Sequence, residues 1–166
     1  MKKLNIVLSI LSGIIFISSC EKDDICVDGA TPLLSIEFYD VTDTTELKDV
    51  PTLVVQGVLE DSVYPIIANV SLSSIELPLR VDATTTTFII SENLTATDTT
   101  TVNKDTITFN YETKELFTSR ACGFTVNYDN LQGSISETDT DQWMKEIKIV
   151  TALVENDTLV NVKILH

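Results

Sequence analysis

The segment Thr106-Ile107-Thr108-Phe109-Asn110-Tyr111 alternates polar and apolar residues without a break. A strand sends successive side chains to opposite faces, so this period of two turns Ile107, Phe109 and Tyr111 inward and the β-favouring threonines outward. The pattern recurs along the chain. Leu34, Ile36 and Phe38 share one face, opposed by Ser35 and Glu37, and Ile75, Leu77 and Leu79 repeat it, with Pro78 pushing that strand toward an edge. Cys122, Phe124, Val126 and Tyr128 form a further inward face, which points the cysteine at the core. Ile147 and Ile149 continue a run that begins near Trp143, and Val160, Val162 and Ile164 alternate with Asn161 and Lys163 at the end. Weaker runs over 52–58 and 86–90 bring the count to about eight strands.

No window of helical length carries a 3.6-residue apolar stripe, and polar connectors over 40–50, 91–103 and 132–141 punctuate the strands. The expectation is an all-β fold: an immunoglobulin-like antiparallel β-sandwich in one domain over residues 31–166, large enough to bury its own core.

The first residues carry a different message. Lys2 and Lys3 precede an apolar stretch interrupted by Ser9, Ser12 and Gly13, then small residues lead to Cys20. This is the layout of a secretory signal over 1–19, too broken for a permanent span of roughly 20 apolar residues. Ile17-Ser18-Ser19-Cys20 resembles the bacterial lipobox, which implies a Cys20 that is lipidated, for example with palmitate, and becomes the new N-terminus. Glu21-Lys22-Asp23-Asp24 follows, within an acidic tether over 20–30, and looks like the surface-export signal of Bacteroidota lipoproteins. The implied location is the outer membrane, lipid-anchored and surface-exposed, with a periplasm-facing anchor as the alternative.

The remaining cysteines, Cys26 and Cys122, are an even pair in an exported chain, for which a disulfide is the default. A metal pair or a reactive thiol competes, but there is no CxxC, no nearby His, and Arg120 is the only basic neighbour.

Charge narrows the partners. With 11 Lys+Arg against 25 Asp+Glu and a formal net charge of -14, the chain repels phosphate backbones, which argues against nucleic acid. The membrane is reached through the anchor, and an envelope protein or a glycan is the expected partner class.

Catalytic, cofactor and metal sites are all read as none. The only histidine, His166, is the last residue, a poor place for a base that a third group must orient, and reads as an exposed strand end. Glu137, Asp139 and Asp141 alternate in a loop and offer oxygens to Ca²⁺, but without the glycine-containing EF-hand pattern they read as a solvated acidic loop. Trp143 and Tyr64 read as core filling rather than sugar platforms, and Arg120 as the partner of a carboxylate. Asp followed by Ser/Thr and a small or aliphatic residue looks like the O-glycosylation sequon of Bacteroidota envelope proteins. It occurs five times, and the loop positions Thr44, Ser62 and Thr99 are the favoured acceptors.

Cys20 through Cys26, the strand Leu34-Ser35-Ile36-Glu37-Phe38-Tyr39-Asp40, the block Phe117-Thr118-Ser119-Arg120-Ala121-Cys122-Gly123-Phe124 and the closing Val160 through His166 look like a family of small flavobacterial lipoproteins known only as a domain of unknown function. The resemblance spans nearly the whole chain. It implies lineage, location and the pairing of Cys122 with Cys26, and it brings no activity. The expected function is a non-enzymatic binding or structural module at the outer membrane or cell surface. The alternatives are an accessory subunit of an outer-membrane uptake complex and, further off, a carboxylate- or calcium-dependent hydrolase.

Overall fold

The computed structural model describes Cys26 and residues 31–93, 102–138, 141–156 and 158–166. The signal segment 1–19, the lipidation position Cys20 and the acidic run 21–24 lie outside them.

Among the described residues, nine strands form two packed sheets. In chain order they are β1 (Leu34–Tyr39), β2 (Val50–Leu59), β3 (Ser62–Leu72), β4 (Ser74–Leu77), β5 (Thr85–Glu92), β6 (Asn103–Ser119), β7 (Gly123–Ile135), β8 (Glu146–Ile149) and β9 (Val162–Leu165). One sheet has the order β4-β1-β9-β8 and the other β3-β2-β5-β6-β7. The expected sandwich is therefore present, with β3 as the strand the alternation did not reveal. Pairing is antiparallel throughout except between β1 and β9, where Ile36 lies opposite Val162 and Phe38 opposite Ile164 in parallel register.

The core follows from the alternation. Leu34, Ile36, Phe38, Val162 and Ile164 face Phe88, Ile90, Ile107 and Phe109 from the opposite sheet, and all are fully buried. Each such side chain contributes roughly 1.5–3 kcal/mol relative to exposure. Phe88 and Phe109 meet edge to face at 6.2 Å, the arrangement that the aromatic quadrupole favours. Gly133 of β7 has no side chain because the Ile147 methyl and the Phe109 ring occupy that space.

Polar groups inside the sandwich are tied down. Thr86 and Tyr111 share a hydroxyl hydrogen bond of 2.5 Å, and Tyr111 donates to the Arg80 carbonyl at 2.9 Å. Tyr128 donates to the Leu79 carbonyl at 3.0 Å, so the two tyrosines hold the β4–β5 connection against the sheet. Asn161, read from the sequence as an outward residue alternating with Val160 and Val162, is buried. Its amide donates to the Thr151 and Leu153 carbonyls and its carbonyl accepts from the Ser35 amide, which fastens the β8–β9 connection to β1.

The two ends of the sandwich differ. Tyr39, Val50, Glu92, Asn103 and Leu165 mark one end, where the 40–49 connection and His166 also lie. Leu34, the β2–β3 turn and the 150–161 connection mark the other, from which β6 and β7 continue outward. β5 pairs with β6 only as far as Asn110, and past Tyr128, which bridges to Val154, no third strand among the described residues accompanies the pair. Residues 112–119 and 123–127 thus make a two-stranded arm. Among the described residues no helix is long and apolar enough to cross a membrane.

Candidate functional site

The arm is built from register upward. β6 and β7 pair antiparallel with Glu115 opposite Val126, Leu116 opposite Thr125 and Phe117 opposite Phe124, and the chain reverses through Arg120-Ala121-Cys122 into Gly123. Gly123 has φ +73°, a conformation that side chains rarely adopt, and its missing Cβ would meet open space, so backbone conformation alone selects glycine there. The Cys122 amide donates to Ser119 Oγ at 3.0 Å and closes the turn.

The face that carries Tyr128 in the core continues along the arm through Val126, which still packs on the core, to Phe124, and among the described residues no strand covers Phe124. Phe117 is 62% exposed and Phe124 67%, the largest exposures among the described aromatics. The rings meet each other at 5.4 Å and 66°. Sequence reasoning turned Cys122 and Phe124 toward the core; both lie instead at the end of a hairpin that has outrun its sandwich. Alternation reports which residues share a face, and only the length of the opposing layer decides whether that face is covered. The glycine after Cys122, flanked by alternating runs on both sides, is the sequence signal of the turn.

The structure joins Cys26 to Cys122, with sulfurs 2.02 Å and Cα atoms 4.8 Å apart across 96 positions of sequence. The staple therefore connects the N-terminal segment to the turn at the arm's tip, not to a strand inside the sandwich. A two-stranded ribbon is marginal in water by itself. Here the disulfide, the Phe117–Phe124 pair and the facing hydroxyls of Thr118 and Thr125 at 3.3 Å hold it.

At the opposite end a cleft of about 440 Å³ is lined by Lys48, Glu92, Asn103, Gln142, Lys145 and His166 among others. His166 is half-buried, which corrects its reading as an exposed strand end. Its ring stands edge-on to Trp143 at 5.5 Å and to Phe38 at 6.0 Å, and its backbone amide donates to the Tyr39 carbonyl. Burial lowers its pKa from the ordinary histidine value. Lys48 donates to the His166 carbonyl at 2.8 Å and pairs with Asp40 at 3.3 Å. Glu92 is pushed up by burial first and by the Asp105 carboxylate second. Trp143 is only 5% exposed and its indole N–H donates to the Ile90 carbonyl, so it fills the core as expected. His166 Nε2 faces the Lys48 carbonyl at 3.3 Å, and among the described residues no Ser, Thr or Cys lines the cleft, so no hydroxyl or thiol there is placed for this imidazole to activate. The lining sets the two ammonium groups of Lys48 and Lys145 among three carboxylates, Asp49, Glu92 and Asp141, and can receive a small polar group.

The other sequence candidates fall as follows. Thr44 is exposed in the β1–β2 connection, and Ser62 is exposed at the start of β3. Thr99 and Asp139 lie outside the described residues. The sequon at Asp105 is closed, because Asp105 is buried in β6 and accepts from the Met144 amide at 2.7 Å. Among the described residues no group of three or more His, Cys, Asp or Glu is placed to hold a metal ion. Tyr64 is 38% exposed on β3 with its ring lying over Gly57, where a Cβ would strike it. Arg120 forms no ion pair with another described residue.

The family model for a family of unknown function, DUF6452, matches residues 52–166, well over half of the chain. The chain belongs to this family. The matched region takes in β3 through β9, with most of β2, the whole arm and Cys122, and it excludes Cys26. No curated protein and no solved structure matched the chain.

Proposed function

We propose that this member of DUF6452 is a lipoprotein of the outer membrane or cell surface, anchored through Cys20, that works as a non-enzymatic binding or structural module. The observation that carries the reading is the Cys26–Cys122 disulfide. Such bonds persist in oxidising compartments, so it agrees with the export signal and places a covalent staple only six residues beyond the anchoring cysteine. A single acyl chain holds a protein only marginally, and the two or three of a lipoprotein cysteine make the attachment durable. The cleft at the far end, where Lys48, Lys145 and His166 stand among Asp49, Glu92 and Asp141, is the part left to face a partner or glycan.

The test is metabolic labelling with a palmitate analogue together with mass spectrometry of the N-terminal peptide, for the wild type and Cys20→Ala. Acylation that vanishes in Cys20→Ala is the expected result; a wild type with a free, unmodified Cys20 overturns the anchor. Protease shaving of intact cells then reads the leaflet. Wild type cut and a Lys22→Ala, Asp23→Ala, Asp24→Ala variant protected is the outcome expected for surface display, and protection of both assigns the domain to the periplasmic side.

A further inference from the structure

The stretch from Leu116 to Asn127, the outer part of the arm, contains no Asp or Glu, although 25 of the 166 residues are acidic. It holds one charge, Arg120 at the turn, beside the two most exposed phenylalanines of the described chain. This acid-free, aromatic end is also the point to which the N-terminal segment is covalently tied. Six residues of chain reach at most roughly 22 Å, so a lipid on Cys20 holds Cys26, and through it Cys122, within that distance of the bilayer surface.

We propose that the Phe117–Phe124 pair is a membrane-contacting wedge, seated in the headgroup region of the same bilayer that holds the Cys20 anchor. The proposal rests on the lipid anchoring proposed above. Phenylalanine rings on an otherwise polar element bury their apolar body about 5–10 Å into the boundary between headgroups and acyl chains, which takes them out of water. Arg120 sets its guanidinium at phosphate level while its stem lies along the apolar boundary. Apart from the short tether that the anchor itself holds at the bilayer, the acidic chain is repelled by lipid phosphates, so of the folded domain the arm's end meets the surface and the sandwich stands away from it. The anchor supplies the binding strength, and the wedge fixes orientation, because the staple keeps the tip at high local concentration next to lipid. A second copy of the chain or a protein partner covering the same rings is the competing occupant.

Full-length protein, matured in a host that acylates lipoproteins and reconstituted in phosphatidylcholine vesicles, carries the test. Two variants each add one tryptophan: Phe124→Trp at the tip and Val41→Trp at the cleft end, an exposed position in the β1–β2 connection. Native Trp143 is buried and serves as the common background. Expected is about two-fold quenching of Phe124→Trp by lipid brominated near the top of the chain, the depth of roughly 5–10 Å that interfacial side chains reach, with little effect of iodide in the water. Val41→Trp should behave in reverse. Acylated protein whose tip tryptophan is quenched by iodide overturns the wedge and leaves the anchor standing. A tip shielded from both quenchers overturns it in favour of a protein contact, and bromolipid quenching at both positions overturns the upright orientation. Mass spectrometry showing Cys20 unmodified in the same sample overturns the anchor and the wedge together.

Discussion

Replacing Cys26 and Cys122 by serine should cost this domain about 3 kcal/mol, almost all of it through the unfolded chain. The bond links residues 96 positions apart, and a loop of that length restricts the denatured ensemble by roughly 4.7 kcal/mol in the chain-entropy description. Little is lost on the native side, because the turn keeps its Cys122 amide to Ser119 Oγ hydrogen bond and the Phe117–Phe124 pair keeps the register. Freeing Cys26 returns about 1–2 kcal/mol of backbone entropy to the folded state, which brings the net to about 3 kcal/mol. With a urea dependence near 2 kcal/mol per molar, the midpoint should fall by about 1.5 M, and thermal unfolding should come roughly 10 °C earlier. The assay is urea unfolding followed by circular dichroism for oxidised wild type, wild type in reductant and the double serine variant. The last two should coincide, with near-native spectra before the transition. A variant within about 1 kcal/mol of the oxidised wild type would refute the loop argument, and a variant whose folded spectrum has already lost strand signal would refute the claim that the arm holds its own register.

Tyr128→Phe removes the hydroxyl that donates to the Leu79 carbonyl and strands a buried acceptor, so a loss of about 1–3 kcal/mol is expected in the same unfolding assay. The Tyr128 phenol is pushed up to about 12 by burial, so spectrophotometric titration should leave it protonated well past the ordinary tyrosine range until the fold opens. Gly133→Ala drives a Cβ into the Ile147 methyl and the Phe109 ring and should cost about 1–3 kcal/mol; a neutral result would mean that the two sheets shift apart readily. Thr52→Gly should leave stability unchanged or raise it by up to about 1 kcal/mol. Thr52 is β-branched at φ 44°, in an irregular stretch of the β2 and β3 pairing, where a threonine is strained and a glycine is not. For His166, burial holds the folded pKa below the ordinary 6.5, so the unfolded chain binds the proton more tightly. Native stability should therefore rise with pH across the window just below 6.5 and fall on acidification, and His166→Gln should flatten that slope. Asp40, depressed mainly by the Thr42 hydroxyl and amide, adds its own loss at lower pH, where carboxylates take up protons.

Alternation located the strands wherever one face is buried, because burial of one face is what writes the period into the sequence. β3 escaped for the same reason. It is an edge strand with both faces largely open, so nothing in Ser62–Leu72 separates inward from outward residues. The arm was half legible: the face running Phe124, Val126, Tyr128 was read correctly as one face, and its burial was not, since the point where the opposing layer stops depends on the β8–β9 connection and Val154. Asn161 looked like surface because its amide is polar; its partners are carbonyls of a connection whose path no local pattern encodes. His166 looked like an end in solvent, and parallel pairing of the first and last strands set it instead against Phe38 and Trp143. The cysteine pairing was legible from the even number of cysteines left in a chain read as exported, though its structural meaning depended on where the turn falls.

The parallel pairing of β1 and β9 also decides what the staple can do. β1 runs from the end bearing the arm toward the end bearing the cleft, so the chain enters the sandwich beside the arm, and Cys26 lies within bonding distance of Cys122. An antiparallel β1 in the same slot would enter at the cleft end and put Cys26 far from that turn. β6 measures the separation: Asn103 lines the cleft and Ser119 precedes the turn, and a strand of 17 residues spans roughly 50 Å. A protein held at the arm therefore carries Lys48, Lys145 and His166 at its most distant point. With the arm on a bilayer, as proposed above, that cleft opens away from lipid, and the exposed Thr44 lies in the connection that carries Lys48. The strand direction that makes the disulfide possible is thus the same one that puts the stapled arm and the cleft at opposite ends of the sandwich.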